Sequence, residues 1–166
     1  IAVHAHSSLR ETAFLLGLAR PHAFVKGVVG WADLCAPDAA ATVARLAQSK
    51  ALCGLRHIVQ AEPDDFLHRA DFQRGVRTLS AHGLVYDILI YPRQLAAARA
   101  FVQALPGQPF VLDHLAKPDI AHGERAMWEP AFRTLARLPN VACKVSGMVT
   151  EAKWNGWRRD DFVYYL

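Results

Sequence analysis

The chain has 166 residues, 52% of them hydrophobic and 20% charged, which is ample for one domain with a sizeable core and excludes a disordered segment. Its formal net charge is +4, but the lysines and arginines are scattered, and no basic run alternates with aromatic residues as a nucleic-acid groove requires. No apolar run of about 18 residues offers a membrane span, no charged stretch followed by an apolar one offers a secretion signal, and Cys35, Cys53 and Cys143 lie far apart without CxxC spacing, which argues for a reducing cytoplasm rather than a disulfide framework.

Along the chain, short apolar runs alternate with helical stripes. "IAVHA" at the start reads as a strand, and the chain opens inside it. "RETAFLLGLA" follows with Phe14, Leu15 and Leu18 on one helical face. "VKGVVGWADL" is the second strand region, and "PDAAATVARLAQ" is a helix with Pro37 and Asp38 as start signals. After the strand in "LCGLRHIVQ", the helix in "DFQRGVRTLSAHG" places Phe72, Val76 and Leu79 on one face and closes on Gly83. "LVYDILIY" is a strand, "RQLAAARAFVQALPG" a helix stopped by Pro106 and Gly107, "FVLDHL" a strand, "WEPAFRTLARLPN" a helix stopped by Pro139, and "VACKVSG" the last strand. "TEAKWNGW" reads as a polar loop that could reach over a strand mouth, and the chain stops at "DFVYYL" without a cap.

Strand centres near Val3, Val28, Arg56, Ile88, Leu112 and Cys143 are spaced by about 28 residues, the length of a βα unit, so the sheet is parallel. Two features favour a barrel over an open doubly wound sheet. No strand leads into a GxGxxG or GxxxxGK turn. Polar residues crowd at the ends of many strands, at His4, His6, Asp33, His57, Gln60, Tyr91, His114, Lys144 and Ser146, where a (β/α)8 barrel builds its site. Such a barrel needs eight strands and six are visible.

"FVLDHLAKPDI", with "VKGVVGWADL", "GLRHIVQ", "YDILIYP" and "NVACKVSGMVTEAKW" in order through nearly the whole chain, resembles the amidohydrolase-related family of the amidohydrolase superfamily. Within it the likeness is to sugar-lactone hydrolases of the L-fuconolactone and L-rhamnonolactone type, with pyrone dicarboxylate lactonase more distant. The resemblance implies an α/β fold, a distorted (β/α)8 TIM barrel of which this single domain, residues 1–166, holds strands two to seven. The family's first-strand HxH and its eighth-strand catalytic Asp are not in this sequence. In the superfamily, those residues and one or two histidines of the fifth and sixth strands form the site, with a divalent metal, zinc first among them, in many members and none in some lactonases. His4 and His6 also make an HxH, but about four βα units separate His6 from His114, which puts the pair on strand two, one ring facing the barrel and the other the helices, without metal.

His114 is the leading candidate. A neutral imidazole at a strand end can ligate zinc or, without metal, polarise a lactone carbonyl and stabilise the developing oxyanion. With His114 pointing inward, strand alternation turns Leu112 inward and Asp113 outward to a structural role. Lys144, sharing a face with Ser146, is the second catalytic candidate, with structural pairing to buried acids as its competing use. His57, Tyr91, Lys117, Ser146 and Trp31 are substrate-binding candidates, and His114 is the metal candidate. Arg56 and Asp87, inward on adjacent strands, are expected to pair with each other as scaffold, because buried charge is tolerated when matched.

The function expected is hydrolysis of a small cyclic ester, a sugar lactone, by water attack, with the general base on the absent last strand. The alternatives are a noncatalytic barrel fragment and a superfamily decarboxylase. The partner is a small molecule, with no nucleic acid and no membrane. An open arc with two unpaired edges points to homo-oligomers or aggregation if the chain is the whole molecule.

Overall fold

The computed structural model describes residues 1–166. Six strands pair in sequence order, β1 (Ala2–Val3), β2 (Val28–Gly30), β3 (Leu52–Ile58), β4 (Val85–Leu89), β5 (Phe110–Leu112) and β6 (Val141–Cys143), and every pairing is parallel. Between them run α1 (Leu9–Ala19), α2 (Ala39–Leu46), α3 (Ala70–Arg77), α4 (Leu95–Ala104) and α5 (Glu129–Ala136), and after β6 come the short α6 (Met148–Glu151) and α7 (Asp160–Val163). This is the arc of a β/α barrel in six units.

The two faces of the sheet do different work. Leu52, Leu55, Tyr86, Ile88, Phe110 and Leu112 face the helices and are buried in one continuous core. At its centre an aromatic chain runs from Phe66 to Phe72 (ring centroids 4.8 Å apart), Tyr86 (5.7 Å), Phe101 (5.8 Å) and Phe110 (5.2 Å), mostly in tilted or edge-to-face contact that suits the ring quadrupoles. The opposite face carries Val3, Val29, Val85 and Val111 and looks into a cavity. Between β2 and β3 the register skips a residue, Val28 opposing Leu52 and Val29 opposing Gly54. This bulge lets Cys53 and Arg56 both face the cavity.

The helical readings hold with two corrections. In α3, Phe72 and Val76 are buried as their spacing requires, with Leu79 just beyond. The helix itself stops at Arg77, and a separate 3-10 turn over Ser80–His82 runs to Gly83, whose φ of +66° ends it. In α1 the buried residues are Thr12 and Leu16, whereas Phe14 and Leu18 are exposed. Thr12 wins the inner face because its hydroxyl, close against Gly30, both accepts from Trp31 N and donates to Trp31 O, each at 2.8 Å. That satisfies two backbone groups just beyond β2, which no apolar side chain could do. The segment expected as a polar loop over the mouth forms α6 and the turn after it, with Trp154 exposed. No helix is long and apolar enough to cross a membrane.

Candidate active site

The concave face of the sheet encloses a cavity of about 460 Å³, lined by Cys53, Arg56, Asp87, Asp113, His114 and Lys144 above a floor of aliphatic residues. A larger hollow of about 710 Å³ lies between the ends of α1 and α2, with Arg20, Arg45 and Lys50 at its edge. It contains no carboxylate, imidazole or thiol, so the chemistry belongs to the sheet.

Four charges inside the cavity form an alternating chain. Arg56 Nη1 donates to Asp113 Oδ2 at 2.8 Å, Lys144 Nζ lies 2.6 Å from Asp113 Oδ1, and Lys144 also donates to Asp87 Oδ2. The Lys144–Asp113 contact is close but misaligned for a hydrogen bond, so Asp113 Oδ1 is held there by charge. Burial pushes the Asp87 carboxyl above its usual range, and the hydrogen bond from Lys144 only partly opposes this. Burial alone would lower Lys144, but its two carboxylate partners outweigh that and hold it above the ordinary lysine value. Two cations and two anions cancel, leaving the cavity without net charge from this chain.

The expected Arg56–Asp87 pair does not form. The two residues are register partners on β3 and β4, yet Arg56 reaches past to Asp113 and Asp87 takes Lys144. The reason is that Asp113 points inward, not outward. β5 ends at Leu112, which packs into the helical core rather than the barrel, and the next residues abandon strand geometry. His114, Leu115, Ala116 and Lys117 have φ of +54°, +55°, +58° and +53°, one turn of left-handed helix built without glycine. L-residues pay about 1–2 kcal/mol each in this region, so the turn stores strain that its neighbours must restrain.

That turn aims His114 into the cavity. Its Nδ1 is 2.9 Å from Ser146 Oγ, and Gly147, itself at φ +69°, lies so close that an added Cβ would sit 2.8 Å from the imidazole. Burial lowers the His114 pKa, with Lys117, Lys144 and Arg56 acting in the same sense and Asp113 against. The ring is therefore neutral near pH 7. When the Ser146 hydroxyl donates to Nδ1, Nε2 carries the proton and presents a donor to the cavity.

The other candidates fall in three places. Ser146 and Lys144 join His114. Lys117 pairs with Glu151 at 2.9 Å, and its ammonium stands 5.9 Å from the Tyr91 ring centroid; Tyr91 borders a separate hollow of about 220 Å³. His57 and Trp31 lie outside the cavity, because His57 alternates with Arg56 and faces the helices. There His57 Nε2 meets Glu62 Oε1 at 2.8 Å, Nδ1 accepts from Trp31 Nε1 at 3.2 Å, and the ring stacks on Phe66. Trp31 donation fixes the proton on Nε2, which leaves neither nitrogen for a substrate. His4 is fully buried with its ring nitrogens on the carbonyls of His6 and Arg56, while His6 is exposed, so neither holds a metal with the other.

Arg56, Asp87 and Asp113 were legible only as scaffold, and Cys53 and Gly147 carried no signal beyond the bulge-prone Gly54 and the SG pair at Ser146. For a metal, the fit is poor. His114 is the only imidazole lining the cavity, both carboxylates are engaged by cations, and no three His, Cys, Asp or Glu side chains gather anywhere in the chain as a metal would need.

An arc of parallel strands that carries an imidazole, a lysine and buried ion pairs on its concave face has the geometry of a β/α-barrel site. The amidohydrolase family model matches residues 10–166, and the chain belongs to that family. Proteins named L-fucono-1,5-lactonase are similar to it: one from Burkholderia multivorans is 47% identical over 169 residues, covering 97% of this chain and 57% of the relative. Another from Burkholderia ambifaria is 39% identical, covering 92% and 53%. A crystal structure of an amidohydrolase from Burkholderia multivorans with bound zinc superposes with a TM-score of 0.91 at 45% identity, over 98% of this chain and 59% of that one. The chain thus spans a little over half the length of the relatives it matches.

Proposed function

We propose that the chain contributes strands two to seven of a barrel that hydrolyses small sugar lactones of the L-fucono-1,5-lactone kind. The observation that carries this is the His114 imidazole, held by Ser146 and turned into a cavity whose other charges are already matched. In this reading His114 Nε2–H donates to the lactone carbonyl oxygen as water adds and charge develops there. Lys144, which donates one N–H to Asp87 and is held against Asp113 by charge, keeps an N–H that can turn to the tetrahedral oxyanion. Collapse breaks the ring C–O bond, the leaving ring oxygen takes up the proton that the base removed from water, and a hydroxy acid is released. The base that takes the proton from water is not among these residues; the family resemblance puts it on an Asp of the eighth strand.

Charge supports a sugar lactone over a carboxylated aromatic. A substrate with one or two carboxylates needs cations that are free, whereas Arg56 and Lys144 are both neutralised by buried acids. An uncharged lactone enters such a cavity without an unmatched charge. The same argument disfavours decarboxylation. Zinc, seen in a solved relative, would find one imidazole ligand here in His114, so the remaining donors would have to come from elsewhere in the barrel. The three free thiols suit a reducing compartment such as the cytoplasm.

The test is turnover of a panel of sugar lactones by the complete barrel to which this chain contributes, followed by proton release, with metal content measured on the same sample. His114→Ala is expected to lower kcat by roughly 10²–10³-fold. Zinc in stoichiometric amount with turnover makes His114 a ligand, and turnover without zinc makes it the oxyanion donor. Consumption of a carboxylated aromatic with every lactone left intact defeats the reading.

A further inference from the structure

The left-handed turn after β5 needs something that holds it, and the cavity does not supply enough. In the cavity His114 meets Ser146 at 2.9 Å, and away from it Lys117 meets Glu151 at 2.9 Å, both through side chains at the ends of the turn. In the middle sit Leu115 and Ala116, both buried, with a peptide group whose orientation decides the hand of the turn. The Leu115 carbonyl accepts a hydrogen bond from Trp128 Nε1 at 2.7 Å. Rotating this residue to ordinary right-handed geometry would swing that carbonyl off the indole and leave it buried without a partner, an outcome proteins avoid.

Trp128 is well placed for this task. It stands at the N-terminus of α5, is itself buried, and its ring is fixed by stacking on Phe132 at 4.8 Å and by contact with Tyr165 at 5.2 Å. It does not line the cavity of His114. We propose that Trp128 is the positioning residue for His114: its indole N–H holds the Leu115 carbonyl, and through it the left-handed turn that directs the imidazole into the cavity. The inference rests on His114 being the acting group of the proposed lactonase, and it predicts that a helix on the outer layer sets the geometry of a side chain on the inner one.

The experiment compares the complete barrel to which this chain contributes with its Trp128→Phe variant, which keeps the stacked ring and removes only the donor. Three-bond HN–Hα couplings and carbon shifts at residues 114–117 report the sign of φ independently of any activity. In the variant they are expected to leave their left-handed values. The kcat for L-fucono-1,5-lactone should fall by roughly 10²-fold with little change in KM, as a displacement of about 1 Å in a reacting group does. Adding Ala116→Gly to Trp128→Phe should recover at least about tenfold, because glycine takes positive φ without steric penalty; a purely structural tryptophan would show no such selective rescue.

Left-handed couplings and full kcat in Trp128→Phe would overturn the proposal, as would lost couplings with kcat unchanged. If Trp128→Phe does not fold, Ala116→Gly alone decides: a raised urea midpoint supports a strained turn needing restraint, and an unchanged or lowered one overturns it. If the unsubstituted complete barrel opens no lactone, the functional reading fails, while the couplings still decide whether Trp128 holds the turn.

Discussion

Removal of the Asp113 charge is the sharpest test of the cavity's electrostatics. Asp113 is fully buried, its Arg56 partner is nearly so, and the two meet at 2.8 Å. Asp113→Asn keeps the shape and changes the cavity from balanced to one positive charge in excess. Two unit charges about 4 Å apart attract by about 4 kcal/mol at an effective dielectric of about 20, and breaking a buried pair from one side costs about 3–5 kcal/mol. Arg56 cannot escape by losing a proton, so the loss holds from pH 5 to pH 8. Lys144→Met behaves differently. It leaves an extra negative charge, and Asp87, whose carboxyl burial already raises, can take up a proton. Its cost should be about 1–3 kcal/mol near pH 7. A raised folded-state pKa gives stability that is present below the unfolded value and lost as pH rises through the folded one. The Lys144→Met penalty therefore shrinks in acid, while that of Asp113→Asn does not shrink in the same way. Urea unfolding at pH 5 and pH 8, followed by tryptophan fluorescence, measures both. An Asp113→Asn cost below about 1 kcal/mol, the level of an exposed pair, or the same pH trend in both variants, refutes the argument.

Gly147→Ala places a methyl group 2.8 Å from the His114 ring at a residue with φ +69°. The backbone part alone should cost about 1–2 kcal/mol, and lactone turnover should fall with the displaced imidazole, read by urea unfolding and initial rates. In Gly75→Ala the new Cβ would lie 2.0 Å from the Leu34 carbonyl. α3 must move off its neighbour at about 3 kcal/mol, visible as a lowered thermal midpoint. His57→Leu strands Trp31 Nε1 and Glu62 and should cost about 1–3 kcal/mol of stability. Because His57 faces the helices, kcat/KM should stay within about twofold; a large rise in KM would return His57 to the substrate.

Strand and helix order was legible because parallel strands buried on both faces read as short apolar runs, and the intervening stripes have helical spacing. The faces were harder. In α1 the periodicity favoured Phe14 and Leu18, but a hydroxyl that satisfies both backbone groups of Trp31 outweighs apolar area, and Thr12 takes the inside. In β3, alternation correctly separated Arg56 from His57. Past Leu112 it failed, since nothing in "DHLAK" announces four left-handed residues; glycine and asparagine are the usual signs, and neither is there. Asp113 was consequently turned the wrong way, and with it the pairing of Arg56. Trp128 was hidden for another reason: an indole donor on α5 and a carbonyl after β5 meet only in three dimensions.

The composition of that turn itself argues for a role beyond connection. Four left-handed residues carry about 4–8 kcal/mol of strain, a large share of the 5–15 kcal/mol that stabilises a typical domain. Glycine at positions 115 and 116 would remove about half of it. What glycine could not supply is burial: Leu115 is buried in the core, worth about 1.5–3 kcal/mol. The Trp128 hydrogen bond adds about 1 kcal/mol, and the half-buried Lys117–Glu151 pair up to about 1 kcal/mol. These contributions offset most of the strain but not with a margin, so the turn persists only while its neighbours are in place. A chain that merely had to join β5 to α5 could do so with an ordinary right-handed turn. The left-handed one differs in its effect on a single functional group, bringing His114 and Asp113 to the same side of the sheet, which strand alternation forbids.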